Sequence, residues 1–233
     1  MNLRRSALLA LLALSAAACG GDAVAETDTT AVPVTTTTSL APTTNSTTTT
    51  TTTTVAGIAV DDEGRTIPAI TGTALPQLPS AGADGAIGMT IPAAEGRGAD
   101  GSLMSIGPNG EPQAIVFLAH WCPHCRDEVT EYSEWLATSS MPEGTTLVAV
   151  ATAIDSLRQN YPPEDWFADE GWPVPTLLDP TNEVADAFGL TAFPFWVLVD
   201  GDGAVVIRGA GGIAPDAIAG ALTTIVNGPT ISG

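Results

Sequence analysis

The chain has 233 residues, 44% of them hydrophobic, enough for one domain of ordinary size with further segments to spare. It carries 26 Asp and Glu against 7 Arg and no Lys, a net charge of −19. That balance sets aside nucleic acid and anionic lipid headgroups as partners of the mature surface.

At the N-terminus, MNLRRSALLALLALSAAACGG places Arg4 and Arg5 before an apolar run from Ala7 to Leu14, with small residues leading to Cys19. This is the layout of a cleaved secretory signal over residues 1–18, and its core is too short to span a membrane. The signal resembles that of a bacterial lipoprotein, which implies lipidation of Cys19 and attachment to the cell membrane through the lipid. Ala16 departs from the leucine usual in that family three residues before the cysteine. The other reading is ordinary cleavage, with Cys19 left as a free thiol.

Between Thr27 and Thr54, 17 of 28 residues are threonine, interrupted by Pro33 and Pro42, and little there can join a packed core. Residues 19–75 therefore read as a disordered tether with a reach of roughly 40 Å if flexible, stiffer if O-glycosylated. From about Ala74 the texture changes, and residues 76–233 read as one folded domain. IGMTIPA and GSLMSIG suggest the two strands of an entry hairpin, and AIVFLA (114–119) a strand buried on both faces. CRDEVTEYSEWLA follows with Val129, Tyr132 and Leu136 at helical spacing. TTLVAVAT is a second buried strand, PEDWFADE a short helix, VPTLLD a third strand, and TNEVADAFGL a helix opened by a Thr or Asn cap. FWVLVDGDGAVVIRGAGG has Asp-Gly hairpin chemistry, and APDAIAGALTTIV closes the chain as an amphipathic helix. Alternating strands and helices give an α/β domain whose central sheet, mixed but mainly parallel, has helices on both faces behind the N-terminal hairpin.

The segment HWCPHCRDE holds Cys122 and Cys125 two residues apart, with Trp121 before them and His120 and His124 alongside. Thiol–disulfide exchange requires a thiolate, and Cys122 falls where a helix begins, so unpaired N–H groups and the positive end of the helix dipole favour negative charge there. Pro123 at the first helical position sets φ and forfeits no hydrogen bond. Covalent haem attachment would need histidine at position 126, which is arginine. A structural zinc lacks ligands, because beyond the two cysteines only the histidines remain in the domain. Cu(I) held by the thiolates and a histidine is the competing use of the same residues.

A buried strand, then WCPHC opening a helix, then Phe193-Pro194 before a hairpin and a terminal helix, resembles the thioredoxin fold. The entry hairpin and the long interval from Cys125 to Pro194 are similar to the TlpA/ResA branch of extracytoplasmic thioredoxin-like proteins. The resemblance implies a thiol–disulfide oxidoreductase in which Cys122 attacks and Cys125 resolves, with no cofactor beyond the Cys122–Cys125 disulfide. It implies protein thiols or disulfides outside the cytoplasm, and a membrane redox partner, as the reacting partners. Pro194 would be the cis-proline that presents the Phe193 backbone to substrate, Trp121 a wall of the site, and Glu128 a proton-handling group near the deeper cysteine. Glu128 also has a plain reading as a solvated helix residue. Phe193 and Phe195, the latter where threonine is common, suit either an apolar substrate groove or core packing. Val116 stands where cytoplasmic thioredoxins carry a buried aspartate. Pro123-His124 repeats the central dipeptide of DsbA and points toward an oxidising poise through His124, whereas the scaffold points toward a reductase. The direction of electron flow stays open.

Overall fold

The computed structural model describes residues 59–228. The signal segment, Cys19 and the Thr-rich part of the tether lie outside the described residues. Three short strands, β1 (Ala69–Thr71), β2 (Ala93–Arg97) and β3 (Leu103–Ile106), pair antiparallel in that order. The central sheet contains β4 (Gln113–Leu118), β5 (Thr146–Ala151), β6 (Thr176–Leu178), β7 (Phe195–Val199) and β8 (Val205–Ala210), ordered β6-β5-β4-β7-β8. The β4–β5 and β5–β6 ladders are parallel, and the β4–β7 and β7–β8 ladders antiparallel, so the sheet is mixed.

All six residues of β4 are buried because both faces of the sheet are covered. Ala114, Val116 and Leu118 face a core shared with α1 (Pro123–Leu136), α2 (Pro163–Asp169) and α4 (Pro215–Asn227). Ile115 and Phe117 face the other core, closed by α3 (Glu183–Ala187) and the three-stranded sheet. There the Phe117 ring lies 5.2 Å from Phe188 and 5.9 Å from Phe195, contacts that add about 0.5–1.5 kcal/mol each beyond area burial.

Three expectations need correction. The folded part takes in chain assigned to the tether: β1 pairs with β2, Leu75 is buried, and its N–H donates to Ala187 O at 2.8 Å. Further along, Leu78 N–H donates to Gly189 O at 3.0 Å. The carbonyl of Pro76 and the carboxylate of Asp84 hold Arg208, whose side chain is wholly buried. Arg208 also donates to Phe188 O at 2.9 Å, and its guanidinium holds the Asp84 carboxyl below the usual range.

The hairpin's first strand is β2, which takes only Ala93 from IGMTIPA; the rest of that segment holds a turn and a single bridge from Thr90 to Ala204. Small residues let β2 approach the core: a Cβ on Gly96 would meet Leu177 and Pro68 at 3.2 Å. Nor does a Thr or Asn side chain cap α3. Asn182 is left-handed at φ 66, and its Oδ1 instead accepts from Ala153 N–H at 2.6 Å. Asp179 accepts from Val184 and Ala185 N–H at 3.2 and 3.0 Å and takes over the cap.

Candidate active site

The site forms where the buried strand β4 hands over to α1. Cys122 is extended (φ −77, ψ 124) as the N-cap residue, with Pro123 in the first turn, and no side chain caps the helix. The orphan N–H groups of that turn are therefore free to act on the Cys122 sulfur. Both thiols are free, but Cys122 retains 7% exposure whereas Cys125 has none. Ala119 N–H donates to Cys125 Sγ at 3.4 Å. Burial pushes the Cys125 thiol far up; that amide works against the rise, while Cys122 and Glu128 beside it add to it. The two sulfurs thus differ in the way a nucleophile and a resolving thiol differ.

Cys125, Glu128, Val129 and Tyr132 make up the buried face of α1, so the glutamate occupies an apolar stripe. Its plain reading as a solvated residue fails, since Glu128 is only 3% exposed. Oε1 accepts from Trp196 Nε1–H at 2.8 Å and from Ile213 N–H at 3.1 Å. One turn on, Tyr132 Oη–H donates to Ile213 O at 2.9 Å. The pair thereby satisfies both backbone groups of the residue leading into α4. Gly212 leaves room for the carboxylate, because a Cβ there would sit 2.8 Å from Oε2. Burial raises the Glu128 carboxyl above its usual range, with the Ile213 and Trp196 donors pulling the other way.

The Phe193–Pro194 peptide bond is cis, and Pro194 is buried, its carbonyl taking Gly211 N–H at 2.8 Å. Phe193 is half-buried and meets Trp121 edge-on, ring centroids 6.1 Å apart. Among the described residues its own N–H and C=O form no backbone hydrogen bond. Trp121 is fixed by its Nε1–H to Ala153 O at 2.8 Å. His124 is exposed, and its imidazole makes no hydrogen bond among the described residues.

The imidazole that is held is His120, 1% exposed. Asp155 N–H donates to its Nε2 at 3.2 Å, which leaves Nδ1 to carry the proton toward Gln159 O at 2.7 Å. Burial lowers the His120 pKa. Asn160 Nδ2 donates to His120 O at 2.9 Å, and the Arg158 guanidinium lies 4.8 Å over the Trp121 ring. The loop 153–160 is thus strapped across the two residues before Cys122. In the sequence this loop carries only a weak signal, the mostly polar DSLRQN ahead of Tyr161 and two prolines.

A cysteine pair one turn apart at the mouth of a helix, following the central strand and set beside a cis-proline loop, defines a thioredoxin-like protein. The Redoxin family model matches residues 86–222, and the chain belongs to that family. An uncharacterized conserved protein from Geobacillus kaustophilus superposes with a TM-score of 0.52 at 22% identity, over 71% of this chain and 90% of that one. StoA from Bacillus subtilis gives 0.48 at 18% identity, over 68% and 98%. The pneumococcal exposed lipoprotein thioredoxin Etrx1 from Streptococcus pneumoniae gives 0.47 at 21% identity, over 55% and 96%. At 22% identity the likeness to the Geobacillus kaustophilus protein is one of fold. No described helix is long and apolar enough to cross a membrane.

Proposed function

We propose that this chain is an extracytoplasmic thiol–disulfide oxidoreductase, tethered to the cell membrane through a lipid on Cys19, that exchanges disulfides with protein substrates through Cys122 and Cys125. The observation that carries the reading is the asymmetry of the pair, one thiol reachable at a helix N-terminus and the other buried behind it. Cys122 attacks a substrate disulfide, one substrate sulfur leaves as a thiol, and a mixed disulfide forms. Cys125 then loses its proton and displaces the second substrate sulfur, so two electrons pass to substrate as Cys122–Cys125 closes. Run in reverse, the same steps oxidise a substrate dithiol.

Glu128 is the carboxyl on the buried face that Cys125 shares, and it serves as the proton acceptor when Cys125 is called on. The free backbone of Phe193 offers an extended substrate a short strand pairing next to the sulfurs. Trp121 and Phe193 form the apolar wall of that groove. A membrane redox partner resets the pair after each turnover.

The test is insulin reduction together with the reduction potential of the pair, about 30 mV corresponding to tenfold in equilibrium constant. Cys122→Ser is expected to abolish exchange, and the potential fixes the direction of flow. Retention of exchange by Cys122→Ser would overturn the reading. The anchor is tested separately: Cys19→Ala is expected to move the protein from the membrane fraction to the soluble one with its exchange rate intact.

A further inference from the structure

Arg158 occupies an unusual position for so acidic a chain. Of the five arginines in the described residues, Arg65 is engaged by Tyr161 and Glu164, Arg97 by the Gly101 carbonyl, and Arg208 by Asp84. Arg126 lies one turn along α1 from Cys122, half-buried, and its Nε is buried without a hydrogen-bond partner among the described residues. Arg158 is stacked on Trp121, the neighbour of Cys122, and its side chain is 57% exposed. Asp155 takes only its Nε, at 3.3 Å, and the two terminal nitrogens make no hydrogen bond among the described residues.

The stack is held from below. The His120 and Trp121 contacts fix the loop 153–160 on both sides of Arg158, so the guanidinium is pre-positioned and does not sweep through solvent. Trp121 also meets Phe193, so one indole links the cation to the residue whose backbone would pair with a substrate strand. A planar guanidinium with its terminal N–H groups unclaimed is built to take a carboxylate. Elsewhere the net charge of −19 repels one.

We infer that Arg158 is a specificity-determining residue that selects protein cysteines flanked by acidic side chains. The inference rests on the oxidoreductase reading and names the substrate class for that site.

The test uses the full chain, pre-reduced and freed of reductant, in a single turnover with dye-labelled peptide disulfide dimers that are self-quenched until cleaved. Three peptides differ only in carrying Glu, Gln or Lys beside the cysteine. Each turnover converts one dimer to two peptide thiols as Cys122 and Cys125 form a disulfide, and the two thiol protons pass to the products. Arg158→Gln is compared with Arg97→Gln, which changes net charge equally but lies on β2.

Arg158→Gln is expected to lower the Glu-to-Lys rate ratio by up to about fivefold, the upper end of what an exposed ion pair contributes. Arg97→Gln is expected to leave the ratio alone, and Arg158→Glu to lower it further than Arg158→Gln does. Equal ratios in the two Gln variants would overturn the inference, leaving Arg158 as packing for Trp121. No exchange with any peptide would overturn the oxidoreductase reading itself.

Discussion

Trp196 on β7 and Glu128 on α1, 68 residues apart in sequence, are joined by a buried 2.8 Å hydrogen bond from the indole N–H to Oε1. Among the described residues the carboxylate receives two donors, the indole and the Ile213 amide, both neutral. Its charge is thus solvated by dipoles while burial resists ionisation.

Because the folded protein raises the Glu128 pKa, its contribution to stability is greatest below the ordinary glutamate range and is lost as pH rises through the folded value. Glu128→Gln keeps an acceptor for both donors and removes the charge. Denaturant midpoints of variant and parent are expected to diverge in the variant's favour from acidic to neutral buffer. A gap that does not change with pH would show that the carboxyl is not perturbed.

In the reduced protein, iodoacetamide is expected to label Cys122 and spare Cys125 until the fold is opened with denaturant. The reasons are the 7% against 0% exposure and the upward push of burial on Cys125. Peptide mass spectrometry after a timed quench reads both sites at once. Equal labelling would remove the division of roles between the two sulfurs.

His120→Phe removes the acceptor for Asp155 N–H and the donor to Gln159 O, at about 1–3 kcal/mol for each polar group left without a partner. Hydrogen exchange at Asp155 and its neighbours is expected to accelerate. The parent's stabilisation by neutral His120 is present above the ordinary histidine range, near pH ~6.5, and is lost as pH falls through the lowered folded value. Loop protection should therefore weaken in acid for the parent but not for the variant.

Asp84→Asn leaves a wholly buried guanidinium without its counter-ion, which typically costs about 3–5 kcal/mol. The folded state depresses the Asp84 pKa, so the parent's advantage is present above the ordinary aspartate range and is lost as pH falls through the folded value. Urea unfolding at neutral and at low pH is expected to show the gap between the two proteins closing in acid.

The parts legible in the sequence are those with a local signal. β4 announces itself as a continuous apolar run, α1 by Pro123 and the spacing of Val129 and Tyr132, and the cysteine pair by its place between them. The cis bond at Phe193–Pro194 was expected from the family resemblance. Ala-Ala-Glu-Gly-Arg carries no strand pattern, because β2 is selected for closeness to Leu177 and Pro68. The loop 153–160 was illegible because its partners are the backbone and side chains of residues 32 to 40 positions earlier. Glu128 could have been placed inside, since it lies three residues after Cys125 and four before Tyr132, on the apolar stripe.

Arg208 also fixes where the autonomous folding unit must begin. The family match starts at residue 86, yet three of the four hydrogen bonds to this guanidinium come from Pro76 and Asp84, upstream of that point. Excising the chain at the family boundary would leave a buried cation with the Phe188 carbonyl alone. It would also strip the backbone pairings of Leu75 and Leu78 from the end of α3. A recombinant fragment intended to behave as the intact domain therefore has to start at or ahead of Ala69, where the homology would suggest residue 86.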